Sequence, residues 1–275
     1  MKRICVAVVM FTALVFVATS CKKTKTDPVI TPTMYIPAND GSYAASLMAP
    51  NNSSVIVGAS ISNVWGIFMT TGLTSAFDDT TGSHNARDEY WQEAFFCGTE
   101  GTGFISPKRV LLNNTGINQR GNGYFVSGNP WHSGWINSWG VTGDENVPEV
   151  SGNMDDAYPA FSGTVPANVS LTAGLSYTFV PAKIVYADSA YVLIHANGLV
   201  AKSNTVSVVA GANAVATISK DQMANMHNEY FTADNKVYYG AIMELVFYKD
   251  TIETFHNKQF AFVNQRVVAR KVVFN

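Results

Sequence analysis

Residues 191–201, YVLIHANGLVA, decide the class of the fold. Tyr191 to His195 and Leu199 to Ala201 are short runs of β-favouring residues, and Asn197-Gly198 lies between them. A two-residue hairpin loop of the type that matches strand twist needs positive φ at both central positions, which Asn and Gly adopt at least cost. The stretch therefore reads as two antiparallel strands. Towards the C-terminus, Thr205–Val209 and Ala214–Ile218 read as further strands split by Gly211. Ser219-Lys220-Asp221-Gln222 places Gln three residues after Ser, a capping-box pattern that predicts one short helical turn. Val237–Tyr248 is apolar on both alternating sets apart from Glu244, as expected of a central strand covered on both faces. Gln259–Val263 and Val267–Phe274 would close this half of the chain.

Towards the N-terminus the pattern is weaker but of the same kind. Ser54–Ile61, Trp65–Met69, Phe104–Leu112 and Gly123–Ser127 read as strands, with turns at Asn39-Asp40-Gly41 and Asn122-Gly123. His84–Phe96 carries Asp88, Glu89 and Glu93 and fits either one short helix or a loop leading into a strand. Almost no stretch repeats apolar residues at helical spacing for three turns, so the class is all-β. Val141–Tyr158 holds acidic residues, no basic ones and three glycines or prolines, and reads as an interdomain segment. The expected organisation is an N-terminal β-sandwich over 35–150 and a C-terminal immunoglobulin-like β-sandwich over 151–275.

Composition sets outer limits. Of 275 residues, 14% are charged against about a quarter in ordinary domains, while 47% are hydrophobic and the formal net charge is −2. Disorder needs low hydrophobicity and high net charge, and both are missing. A nucleic-acid partner needs a basic excess, which is missing as well. Residues 27–150 carry 4 basic and 11 acidic side chains, whereas 151–275 carry 9 of each. An acidic first half disfavours anionic ligands there.

The first segment speaks to location. Lys2 and Arg3 precede an apolar run from Ile4 to Ala18, followed by Thr19, Ser20 and Cys21, the make-up of a signal peptide over 1–20. The run is shorter than the ~20 apolar residues that span a bilayer. The small residues ending in Cys21 resemble the lipobox of bacterial lipoprotein precursors, whose peptidase cleaves before the Cys. That resemblance implies a mature chain starting at Cys21, acylated on its thiol and amine, with the membrane as partner. Two or three acyl chains make a stable anchor, and Lys22, Lys23 and Lys25 would add attraction to anionic headgroups. Residues 21–34 then comprise the lipidated Cys and a tether rich in Thr and Pro.

Further along, Trp139-Gly140-Val141-Thr142-Gly143, Pro159-Ala160-Phe161-Ser162-Gly163 and Ala187-Asp188-Ser189-Ala190-Tyr191-Val192 are similar to segments of the tandem immunoglobulin-like β-sandwich lipoproteins common in Bacteroidetes. The resemblance implies two sandwiches held at the outer membrane, facing the periplasm or the cell surface, and implies no activity. A fimbrillin-like structural or adhesion subunit is the alternative. Its maturation resembles cleavage after an Arg near the mature start, and here the first Arg past the signal peptide is Arg87.

Chemistry-bearing motifs are sparse. The histidines at 84, 132, 195, 227 and 256 show no H-x-x-x-H or H-x-H spacing, so no local zinc motif is present. Asp144, Glu145, Asn146, Glu149, Asp155 and Asp156 are oxygen-rich but do not form the D-x-[DN]-x-[DN]-G calcium loop. His84 with Asp88, Glu89 and Glu93 is the candidate acid–base set for a hydrolase, and His195 reads as structural. There is no G-x-S-x-G or Walker loop, and neither an enzyme, a metal site nor a cofactor is expected. Cys5 leaves with the signal peptide, and Cys97, following Phe95-Phe96, reads as a buried thiol.

Most distinctive is Asn129–Gly140, NPWHSGWINSWG. Trp131, Trp135 and Trp139 recur every four residues. Exposed together, they could stack on sugar rings while Asn129, His132 and Asn137 bond hydroxyls; buried, they would pack between sheets. The reading that results is a non-catalytic, lipid-anchored binding or scaffolding module, with a glycan or another envelope protein as partner.

Overall fold

Alternating apolar side chains and β-branched residues build an architecture of strands. The structure, a computed structural model, describes residues 64–77, 87–96, 105–120, 123–127, 137–145, 147–154, 158–209, 211–233 and 236–275. Asn197 and Gly198 take φ of 43° and 75° and join β13 (Ser189–Ala196) to β14 (Leu199–Lys202), the hairpin read from the sequence. β13 pairs with β18 (Lys236–Phe255), which turns at His256-Asn257 into β19 (Lys258–Phe274). On its other side β19 runs parallel to β1 (Gly66–Ala76), and antiparallel β2 (Arg87–Phe96), β6 (Gly123–Ser127) and β5 (Gln119–Arg120) follow. Short flanking strands complete this sheet of eleven: β10 (Asn168–Val169) on β19, β15 (Val206–Ser207) on β13 and β17 (Glu229–Ala233) on β18.

Two smaller layers lie over it. One is a four-stranded sheet in the order β4 (Thr115–Ile117), β3 (Arg109–Leu112), β7 (Asn137–Thr142), β8 (Val150–Met154). The other comprises the pairs β11 (Leu175–Phe179) with β16 (Ala214–Ile218) and β12 (Ile184–Val185) with β9 (Ala160–Phe161). No α-helix occurs among the described residues, and the fold is all-β. The capping box forms reciprocally: Ser219 N donates to Gln222 Oε1 at 2.9 Å, and Gln222 N donates to Ser219 Oγ at 3.2 Å.

The division into 35–150 and 151–275 does not hold in the sheet. Its boundary falls inside β8, and β1 of the first half pairs with β19 of the second along its whole length, Gly66 opposite Phe260 through Ala76 opposite Arg270. The acidic stretch Val141–Tyr158 contains the end of β7 and all of β8, and in the turn between them Asp144 Oδ1 accepts from Val147 N at 3.0 Å. Two other expectations change. The runs 259–263 and 267–274 are one strand, because Asn264-Gln265-Arg266 is a polar passage and not a break. Among the described residues of Phe104–Leu112 only Arg109–Leu112 is strand, whereas the described part of 84–96, Arg87–Phe96, is a strand and no helix. Ser54–Ile61 lies outside the described residues.

Period-2 alternation divides the core. One face of the large sheet carries Met69, Leu73, Trp91, Phe95, Tyr191, Val246 and Val263. The other carries two separate clusters. Phe68, Phe96, Phe260 and Phe262 pack with Val110, Trp139 and Val141 of the four-stranded sheet. Met243, Leu245, Phe247 and Val268 pack with Phe179, Ala216 and Ile218 of β11 and β16. Between these clusters the face turns polar, with Thr70, Gln92 and Asn264 all buried.

Beyond this core, Asp250 of β18 shows a cost carried by the fold. Burial, and then the nearby Asp188 carboxylate, raises its pKa above the ordinary value, so the folded state favours the neutral acid. Its stabilising contribution is complete below the ordinary carboxylate range and is lost as pH rises through the raised value. Asp250→Asn is therefore expected to gain roughly half a kcal/mol at pH 7, discounted for the group's partial exposure, and nothing at pH 3. Urea melts at the two pH values check this.

Candidate functional site

The polar passage across the sheet holds the best-formed constellation. Val268 of β19 lies opposite Thr74 of β1, so Arg266 and Arg270 flank that position on the same face. Both guanidiniums reach Thr74. Arg266 Nη2 donates to its hydroxyl, and Arg270 Nη1 donates to its carbonyl at 3.5 Å. Asp88 and Tyr90, two residues apart on β2, approach from the far side. Asp88 Oδ1 lies 2.8 Å from Arg266 Nη2 and accepts the Thr74 hydroxyl proton at 2.6 Å. Arg266 Nη1 donates to the Tyr90 hydroxyl at 3.3 Å, and its guanidinium lies 5.7 Å from the centre of that ring. Tyr158 packs edge-on against Tyr90 at 5.5 Å, and burial pushes its hydroxyl pKa well up.

A roof is supplied by residues 160–165. Phe161 stacks on Phe247 with centroids 4.9 Å apart, and Ser162 N donates to Lys183 O at 2.9 Å. The Tyr177 hydroxyl, pushed up to about 12 by burial, donates to Thr164 O at 2.8 Å. Gly163 lets the segment fold tightly over Phe161, because a Cβ there would lie 2.3 Å from that ring. Roof and floor enclose a cleft of about 420 Å³ lined by Thr74, Asp88, Phe161, Thr164, Arg266 and Arg270.

The residues singled out from the sequence fare differently. Trp139 is fully buried, 5.3 Å from the Phe68 ring, because Asn137, Trp139 and Val141 are the inward set of β7. It is a core residue with no face to offer a sugar, which corrects its place in the aromatic platform. Trp131, His132 and Trp135 lie outside the described residues, as do Cys21, Cys97, His84, Asn146, Asp155 and Asp156. Asp88 and Glu93 point to opposite faces of β2, Asp88 to the cleft and Glu93 into the core, so they form no acid–base pair. Asp144 accepts Lys108 N at 2.9 Å as well as Val147 N, a turn-organising role. No three of His, Cys, Asp and Glu gather as metal ligands among the described residues. His195 Nε2 sits 2.9 Å from Oε1 of the fully buried Glu244.

Two features escaped sequence reasoning. The Arg266–Asp88 pair spans 178 positions and has no local mark. Tyr230 and Tyr239 are cross-strand partners on β17 and β18, 77% and 49% exposed, with ring centroids 4.9 Å apart and planes inclined at 47°. Asp234-Asn235 between two aromatic-rich runs is the sequence signal that would have revealed that hairpin. Compared with protein-family models, curated proteins and solved structures, the chain matches none.

Proposed function

We propose that this protein is a non-catalytic module, anchored by lipid on Cys21 at the outer membrane, that binds glycans through Tyr230 and Tyr239. The exposed tyrosine pair carries the reading. Exposed aromatic faces held side by side on a hairpin offer flat apolar surface to the C–H face of a pyranose, with phenolic hydroxyls at the rim. A surface of low charge, with 14% charged residues overall, suits a neutral polyhydroxylated partner. Support for the anchor is Lys2-Arg3, the Ile4–Ala18 run and the small residues before Cys21. A cross-strand tyrosine pair also stabilises its own hairpin by roughly 0.2–1 kcal/mol, an effect read in melts rather than in binding.

The test is a neutral-oligosaccharide panel titrated against the wild type and against Tyr230→Ser and Tyr239→Ser. Each loss of a stacked ring is expected to weaken binding about five- to tenfold, corresponding to about 1 kcal/mol or slightly more. A wild type that binds nothing on the panel, or serine variants that bind as well as it does, would overturn the glycan reading. Separately, Cys21→Ser is expected to move the protein from the membrane pellet to the soluble fraction, and unchanged pelleting would sink the anchor.

A further inference from the structure

We propose that the cleft between the β1–β2–β19 floor and the 160–165 roof is a binding site for the carboxylate group of a ligand of monosaccharide size. The charge count of its lining sets the class. Two guanidiniums and one carboxylate leave the cleft with one net positive charge. The acidic count of residues 27–150 disfavours anions near β1 and β2, but β19 brings Arg266 and Arg270 from the other half of the chain onto that surface. A planar guanidinium recognises carboxylate through paired N–H donors, and does so best when its orientation is already fixed. Arg266 is fixed in this way by Asp88, Thr74 and Tyr90, and its side chain is 17% exposed.

The remaining lining narrows the ligand. Asp88, with its side chain 51% exposed, is an acceptor for a hydroxyl beside the bound carboxylate, and its charge opposes a dianion such as phosphate. Phe161 and Val268 supply apolar wall, and about 420 Å³ falls in the range of small-molecule sites. The carboxylate could belong to a hexuronic acid or to the free end of a peptide, and the two sources are separable by experiment. This cleft uses none of the residues of the tyrosine pair, so either proposal can fail alone.

The test is isothermal titration of the full-length protein with glucuronate, glucose, alanyl-alanine and inorganic phosphate. Glucuronate is expected to bind at least about tenfold more tightly than glucose, with phosphate weaker than glucuronate. Binding should be weakened about tenfold in Arg270→Gln, whose melting curve verifies folding. Glucuronate affinity should also fall with added salt, a readout that needs no variant. Alanyl-alanine binding in place of glucuronate keeps the carboxylate site and assigns its source to peptide. No binding by either carboxylate, preference for phosphate or glucose, or full affinity in a folded Arg270→Gln protein would each overturn the proposal.

Discussion

Gly240→Ala is expected to cost about 4 kcal/mol, a large part of the 5–15 kcal/mol that holds a typical domain. Gly240 ends the pairing of β18 with β17, and the next residue, Ala241, begins its pairing with β19 opposite Val272. Its φ is +147°, a region that residues with side chains rarely enter. A Cβ there would lie 2.3 Å from the Val272 carbonyl oxygen and 3.4 Å from Lys271 Cγ. The lysine carbon can move; the carbonyl belongs to the central hairpin and cannot move without separating β18 from β19. Strain of about 1–3 kcal/mol and overpacking of a similar size combine to the expected loss. Gly198→Ala is the control, since Gly198 also has positive φ, 75°, but its Cβ would meet no atom within 4 Å. That variant should lose only about 1 kcal/mol in a denaturant melt. Equal losses in the two variants would show that the Val272 contact is not the cause.

His195→Leu is expected to cost about 3 kcal/mol at pH 7. Glu244 is fully buried on the apolar face that carries Tyr191 and Val246, and His195 reaches it from the adjacent strand at 2.9 Å. Burial together with the Glu244 charge raises the Tyr191 hydroxyl pKa well above its usual value. Removing one member of a buried pair strands the other, typically at 3–5 kcal/mol. Pairing His195→Leu with Glu244→Leu should recover most of the loss. A double variant no better than the single in a denaturant melt would contradict this account.

Legibility followed the range of the interaction. Asn197-Gly198 and Ser219–Gln222 were readable because their geometry is set within four residues. The central strand was readable over Val237–Tyr248 but extends to Phe255, since Asp250–Phe255 loses apolar alternation while the ladder with β19 continues. The turn closing that ladder, His256-Asn257 with φ of 49° and 64°, lacks the glycine that usually marks it. The β1–β19 ladder joins distant residues and left no trace in either strand alone. It also misled the domain division, and hid the cleft, because Asp88 and Arg266 become neighbours only through it. Trp139 was ambiguous since a four-residue spacing counts as one face on a helix and as one side of a strand, and β7 used the latter.

The same ladder fixes an order in time. A chain is made N-terminus first, at about 5–20 residues per second, and Thr71 can meet Gln265 only after 194 further positions have been made. Until then β1 lacks one of its two neighbours, and one side of its backbone is open to wrong partners. Closing so long a loop slows folding and leaves the incomplete sheet exposed to aggregation. β19 is the strand that seats β1, so the central sheet cannot be completed until Phe260–Arg270 has been made. A chain of this kind keeps its central sheet open until that one segment arrives.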